Sequence, residues 1–158
     1  MRVLVTGGAG RIGVDVGKTF LENGFQVRAF DLDTPVTRNR IKKLQGKAEV
    51  FWGDITQIDS IRKAMEGIDA VVHTAAMLPP RCVATPELTR KVNVDGTRNV
   101  AQAVKEKGGR VPFVYTSTEA VYGNISELTE PIDLDKFPPV PKGIYPETKI
   151  QGEQKIKE

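Results

Sequence analysis

Short β-prone runs alternate with helix-length amphipathic stretches along most of the chain. Val3–Thr6 predicts a first strand, and Ile12–Asn23 a helix with Ile12, Val16, Phe20 and Leu21 facing inward and Gly24 ending it. A second strand over Phe25–Phe30 ends at Asp31, followed by a loop at Thr34-Pro35 and a short helical piece over Ile41–Leu44. Ala48–Trp52 reads as a third strand leading into Gly53-Asp54, and Ile58–Met65 as a helix capped by Thr56 or Asp59 and closed by Gly67. Ala70–His73 is almost entirely apolar, as a parallel strand covered on both faces should be. Pro86–Lys107 predicts a long helix with Leu88, Val92, Val100 and Val104 on one side, stopped by Gly108-Gly109, and Val111–Ser117 a fifth strand. Asn124–Ile144 breaks the rhythm with Pro131, Pro138, Pro139 and Pro141, the signature of a functional or poorly ordered loop. A last helix starts near Tyr145. Such β-α-β alternation, with right-handed crossovers, predicts a doubly wound α/β parallel sheet of strand order 3-2-1-4-5. Ligand sites on such a sheet lie at the carboxyl ends of its strands.

The first of those ends carries the most telling residues. Gly7-x-x-Gly10-x-x-Gly13 joins the first strand to the first helix. This spacing sets backbone N–H groups and the positive end of a helix against a pyrophosphate. Gly7 allows the turn, Gly10 lets the backbone approach the phosphates, and Gly13 lets helix and strand pack closely. Arg11, inside the turn, either helps neutralise the phosphate charge or lies exposed on the first helical turn.

Size and charge narrow the classes. At 158 residues the chain is about one domain, and 39% hydrophobic with 27% charged residues is the composition of an ordinary globular protein. The net charge of +3 is scattered, without the clustered basic stripe and aromatic platforms that nucleic-acid binding requires. No run is long enough to span a membrane, and Met1-Arg2-Val3 leads straight into the first strand without room for a signal peptide. Cys82 and His73 each stand alone, which argues against a disulfide or a metal cluster and fits the cytoplasm.

Further chemistry falls at other strand ends. Asp31, about twenty residues beyond the glycine turn, can accept hydrogen bonds from an adenosine ribose diol, and its charge would repel a 2′-phosphate, favouring NAD over NADP. The alternative is a solvated turn acid, as Asp33 lies two residues on. Asp54 could accept from an adenine amino group with Ile55 against the ring. Tyr145-x-x-x-Lys149 puts a phenol and an ammonium on one helix face, where the positive charge should lower the tyrosine pKa and make it a usable base. Two exposed helix residues are the competing explanation.

Taken together these residues resemble the extended branch of the short-chain dehydrogenase/reductase superfamily, the NAD-dependent epimerase/dehydratase group. The match spans nearly the whole chain: Thr6-Gly7-Gly8-Ala9-Gly10-Arg11-Ile12-Gly13, Gly53-Asp54-Ile55, Val72-His73-Thr74-Ala75-Ala76, Asn93-Val94-Asp95-Gly96-Thr97, Thr116-Ser117-Thr118-Glu119-Ala120-Val121-Tyr122-Gly123 and Tyr145-x-x-x-Lys149. The resemblance implies a Rossmann-type NAD-binding domain. Gly7, Gly10, Arg11, Ile12 and Gly13 would hold the pyrophosphate, Asp31 the adenosine ribose, and Asp54 with Ile55 the adenine. Thr74, Ala75 and Ala76 would line the path to the nicotinamide ribose, with Asn93 near the active site. Thr118 would hydrogen-bond the reacting oxygen, Lys149 would bind the nicotinamide ribose, and Tyr145 would remove a hydroxyl proton as hydride passes to NAD.

The substrate implied is a sugar hydroxyl, in a nucleotide sugar. A homodimer through the helices at 86–107 and 145–158 is implied as well. Three residues depart from the usual pattern: Arg11 replaces an aromatic residue, Pro146 directly follows Tyr145, and Glu119 falls where dehydratases of the group carry an acid. By the same resemblance the chain ends inside the helix bearing Tyr145, before the family's substrate domain. The expectation is therefore NAD binding with slow or no turnover by these 158 residues. A non-catalytic NAD-binding module or sensor, and a helix-mediated interaction protein, are the rival readings.

Overall fold

Five parallel strands, β1 (Arg2–Thr6), β2 (Gln26–Asp31), β3 (Glu49–Trp52), β4 (Ala70–His73) and β5 (Phe113–Tyr115), form one sheet in the order β3-β2-β1-β4-β5. This is the expected order. The computed structural model describes residues 1–108, 111–123, 133 and 136–158, so most of the proline-rich stretch and Gly109 lie outside the described residues. Alternation along β1 assigns the two faces. Val3 and Val5 join Val27 and Val72 in a core covered by helix α1 (Arg11–Glu22), while Leu4 joins Phe30, Ile61, Val71 and Val100 in the larger core on the opposite face. That second face is covered by α3 (Ile58–Ala64) and α6 (Thr97–Glu106). It also bears Thr6 and His73, and the register sets Thr6, His73 and Tyr115 abreast on neighbouring strands.

Several local expectations are corrected. Ile12 does not face inward but is 58% exposed, whereas Gly13, Val14 and Gly17 are the buried positions of α1. The helix turns its smallest residues to the sheet because only they permit a close approach; Val16, Phe20 and Leu21 pack beside that line of contact. Thr34-Pro35 opens helix α2 (Pro35–Ile41) rather than a loop: Thr34 and Thr37 form a reciprocal capping box and Pro35 takes the first helical position. Neither Thr56 nor Asp59 caps α3; Gln57 stands at the cap without a side-chain bond, and the Thr56 N–H donates to Asp54 instead.

The long helix after Pro86 is compound. A short α4 (Arg81–Ala84) precedes α5 (Pro86–Arg90), and a π-helical segment over Lys91–Gly96 leads into α6. The wider π turn shifts the helical phase, so Leu88 is left 41% exposed while Val100 and Val104 are buried. The last helix, α7 (Ile144–Lys157), lies against α5, the π segment and α6 of the same chain. The fifth strand is shorter than expected, and Val114 on it is 56% exposed.

Arg28 shows how this sheet face is bolted to its helices. Its buried guanidinium donates to the carbonyls of Ala64 and Glu66 at 2.6 and 2.8 Å, closing the end of α3, and pairs with Glu49 at 3.0 Å. Arg28→Met is expected to lower the unfolding free energy by about 2–4 kcal/mol, because two carbonyls lose a charged donor. Urea denaturation measures this, and an unchanged midpoint with unchanged slope would refute the assignment.

Candidate functional site

The turn between β1 and α1 is held from both sides. Gly7 adopts φ +68°, and its missing side chain leaves room for the end of β4, since a Cβ there would lie 2.7 Å from the Ala75 nitrogen. A Cβ on Gly13 would overlap the Gly7 carbonyl, so helix and turn meet only through glycine. Gly10 N–H donates to the Gly7 carbonyl at 2.7 Å and Gly8 N–H to Phe30 of β2 at 3.1 Å. Gly10 stands at the cap of α1 without a side-chain bond, and the first turn of this 12-residue helix contains no acidic residue. Its N–H groups and positive dipole end are thus open to an anion. Arg11 and Ile12 are exposed there.

Asp31 borders the same turn. One carboxylate oxygen accepts from Ala9 N–H at 2.9 Å and the other from Leu32 N–H at 2.8 Å. Burial pushes this carboxyl above the usual carboxylate range, opposed by those two N–H bonds and by the charge of Arg40. Asp31 therefore shapes the glycine turn as well as lining it, a second task that the residue pattern did not announce. At the end of β3, Asp54 accepts from Thr56 N–H at 2.8 Å. The adjacent Ile55 is buried against Gly96, where a Cβ would come within 2.7 Å, and its carbonyl accepts from Asn99 at 2.9 Å.

After β4, Thr74 donates its hydroxyl to the Thr6 carbonyl at 2.8 Å, which ties the Thr74–Ala76 segment to β1. Asn93, in the π segment, is 1% exposed. Its amide oxygen accepts from Met77 N–H at 2.7 Å, and its two N–H bonds go to the Met77 carbonyl and the Thr148 hydroxyl at 3.2 and 3.0 Å. Both donors are used inside the protein, where Asn93 clamps the 74–77 segment to α7.

His73 completes the connection. Thr97 gives its single hydroxyl proton to the Asn93 carbonyl at 2.7 Å, so it can only accept from His73 Nε2 at 3.0 Å. Nδ1 of His73 is then the acceptor for the Thr6 hydroxyl at 2.5 Å. Burial, aided by the nearby Lys149 charge, pulls this imidazole down to about 3 and keeps it neutral.

The expected catalytic residues gather around α7. Thr118 caps a 3-10 turn over Glu119–Tyr122, its hydroxyl accepting from Ala120 N–H at 3.3 Å, and α7 packs on this turn. Pro146 is the third residue of α7, inside the first turn, where no N–H is needed. Tyr145 and Lys149 share the helix, but the expected effect of one on the other is corrected. The Tyr145 phenol lies above its ordinary pKa, from burial first and then from neighbouring Cys82 and exposed Glu119. Lys149 does not counter this because its ammonium sits over the Tyr115 ring, 4.0 Å from the centroid.

Residues 3–158 match the model of the NAD dependent epimerase/dehydratase family. The chain belongs to that family. It is 36% identical over 162 residues to a 3 beta-hydroxysteroid dehydrogenase/Delta 5-->4-isomerase of Mycobacterium tuberculosis, covering 97% of this chain and 41% of the relative. A 3 beta-hydroxysteroid dehydrogenase type 7 of Rattus norvegicus is 37% identical over 123 residues, 76% of this chain and 36% of the relative. Among solved structures, UDP-glucose 4-epimerase of Thermus thermophilus in complex with NAD has a TM-score of 0.86 and 29% identity, over 99% of this chain and 50% of that one. A dTDP-glucose 4,6-dehydratase of Streptomyces venezuelae with NAD bound has a TM-score of 0.85 and 28% identity, over 98% and 50%. The chain thus spans half the length or less of these relatives.

Within the family pattern the sequence reading passed over His73, Thr97, Thr148 and Tyr115, which hold the others in place. His73 carried one signal, an imidazole ending an otherwise apolar buried strand. Its depressed folded pKa means that the unfolded chain binds the extra proton first, so stability should fall as pH drops from about 6.5 towards about 3. The slope is about 1.4 kcal/mol per pH unit at most. Denaturation across that range should show the slope difference between wild type and His73→Gln, and parallel curves would contradict it.

Proposed function

We propose that this chain forms the NAD-binding and proton-transferring half of an oxidoreductase that acts on a secondary hydroxyl, with a nucleotide sugar as substrate. The observation that supports it best is that the open N-terminus of α1 after β1, the Asp31 carboxylate ending β2 and Lys149 of α7 over Tyr115 ending β5 all lie at the carboxyl ends of the parallel strands. The glycine cradle and donor set fit the cofactor. Gly7, Gly10, Gly13 and the first-turn N–H groups of Arg11 and Ile12 bind pyrophosphate, and the remaining lone pairs of Asp31 take the adenosine ribose hydroxyls. Asp54 and Ile55 receive adenine, and Thr74, Ala75 and Ala76 line the way to the nicotinamide ribose, which Lys149 binds.

NAD, when bound, supplies the hydride acceptor. Thr118 hydrogen-bonds the reacting oxygen and orients it, and Tyr145 Oη takes its proton. In the free chain burial and Glu119 hold the phenol protonated, so the Lys149 charge has to act on Tyr145 with the cofactor in place. Pairing of two chains through α5, α6 and α7 belongs to the same proposal, supported by half-exposed Leu88, as does a cytoplasmic setting, supported by the lone buried thiol of Cys82. Among the described residues no helix is long and apolar enough to cross a membrane.

The steroid dehydrogenases at 36% and 37% identity favour a second reading, a 3β-hydroxysteroid as substrate. Nucleotide sugars and hydroxysteroids offered with NAD to a version carrying any following coding sequence separate the two. Conversion of the first class alone, read as product or as NADH, supports the proposal, and conversion of steroids alone replaces it. Tyr145→Phe in that version should reduce turnover at least about 100-fold while calorimetry finds NAD affinity nearly unchanged; equal losses in both would reject Tyr145 as the base.

Calorimetry on the 158-residue chain tests the cofactor. NAD should bind at least about tenfold (1.4 kcal/mol) more tightly than NADP, and Asp31→Ala should weaken NAD and narrow that gap. Preference of the wild type for NADP would overturn the role of Asp31.

A further inference from the structure

Lys149 is 2% exposed, yet its ammonium makes no hydrogen bond or ion pair among the described residues. Its Nζ keeps a little contact with solvent, since Arg28 Nε is the one fully buried side-chain polar atom without a partner among the described residues, but desolvation still works against the charge. What it does have is Tyr115. The ring centroid lies 4.0 Å from Nζ, and the Tyr115 hydroxyl donates to the Lys149 backbone carbonyl at 3.3 Å. A single β5 residue therefore contacts both ends of one lysine.

The surroundings are shaped to keep Tyr115 there. Gly152, one helical turn beyond Lys149, has no side chain, and a Cβ would stand 2.5 Å from the Tyr115 hydroxyl oxygen. On β4 the neutral ring of His73 stacks beside Tyr115 at 5.6 Å, fixed by Thr6 and Thr97. Glu153 on α7 accepts from the Ser117 hydroxyl, and its charge favours the ammonium.

We propose that Tyr115 is the positioning residue for Lys149: its ring seats the ammonium and its hydroxyl anchors the helix turn behind it. The ring's negative face stabilises the charged form without consuming a single N–H donor, so the lysine keeps its donors for the ribose hydroxyls assigned to it above. The inference rests on that assignment for its purpose, but the seat exists in the ligand-free chain. Burial pulls Lys149 down to about 8, against which the Glu153 charge works; the ring face adds its own attraction for the charged form.

The test reads the lysine directly, without cofactor. The Lys149 side chain is followed by carbon-13 NMR as pH is raised, in the wild type, in Tyr115→Phe and in chains with mono-, di- and trifluorinated phenylalanine at position 115. Ring size hardly changes through the fluorinated series while its negative face is progressively lost. The other titratable groups near the ammonium, His73 and Glu153, are common to all samples. The midpoint should fall stepwise, by about one pH unit between phenylalanine and its trifluoro form. Tyr115→Phe should hold the midpoint but increase amide exchange in the first turns of α7, where the anchor is lost. A flat fluorine series would overturn the seat, and unchanged exchange in Tyr115→Phe would overturn the anchor. Absent NAD binding would refute the proposed function and leave these results standing.

Discussion

A buried hydrogen-bond chain runs from Thr6 through His73 and Thr97 to Asn93, and from Asn93 to Met77 and Thr148. It starts one residue before the glycine turn and ends one residue before Lys149, so it joins the two halves of the site through the sheet. Every member is buried and each proton in the chain has one acceptor, which fixes the direction of donation throughout. Burial, with the Lys149 charge nearby, keeps the imidazole neutral. A proton on Nδ1 would reverse that bond, leaving Thr6 to accept and its own hydroxyl proton to find another acceptor.

Burial sets the electrostatics of the same site. It raises Asp31 and Tyr145 and lowers His73 and Lys149, in each case against the charged form. What opposes it differs from residue to residue: backbone N–H groups for Asp31, an aromatic face and a distant carboxylate for Lys149. Tyr145 has no such help in the ligand-free chain, as Cys82 and Glu119 push in the same direction as burial. The arrangement therefore holds a lysine close to its switching point and a tyrosine that needs a positive charge brought to it.

The fold was largely legible from the chain. Alternating apolar runs identified all five strands and their order, because each run is too short for a helix and the parallel sheet covers both faces. The glycine turn and Asp31 were legible too, since their residue types are dictated by backbone geometry and strand-end position. Three things were not. On α1, Ile12 was placed inward and Gly17 was missed, because close packing there selects glycine, which carries no hydrophobic signal. The phase shift at Lys91–Gly96 cannot be seen in a pattern read at 3.6 residues per turn. Tyr115 and His73 look like ordinary strand residues, and their roles arise only from the register that sets them abreast beneath α7.

The central claim is that the glycine turn and the Tyr145–Lys149 helix form one ligand site. The most direct measurement is a backbone amide NMR titration of the isolated chain with NAD. The account predicts shifts that saturate together over Gly7–Gly13, Asp31, Asp54–Ile55, Thr74–Ala76 and the α7 residues around Lys149. Shifts confined to the glycine turn, with α7 unmoved at saturation, would contradict it.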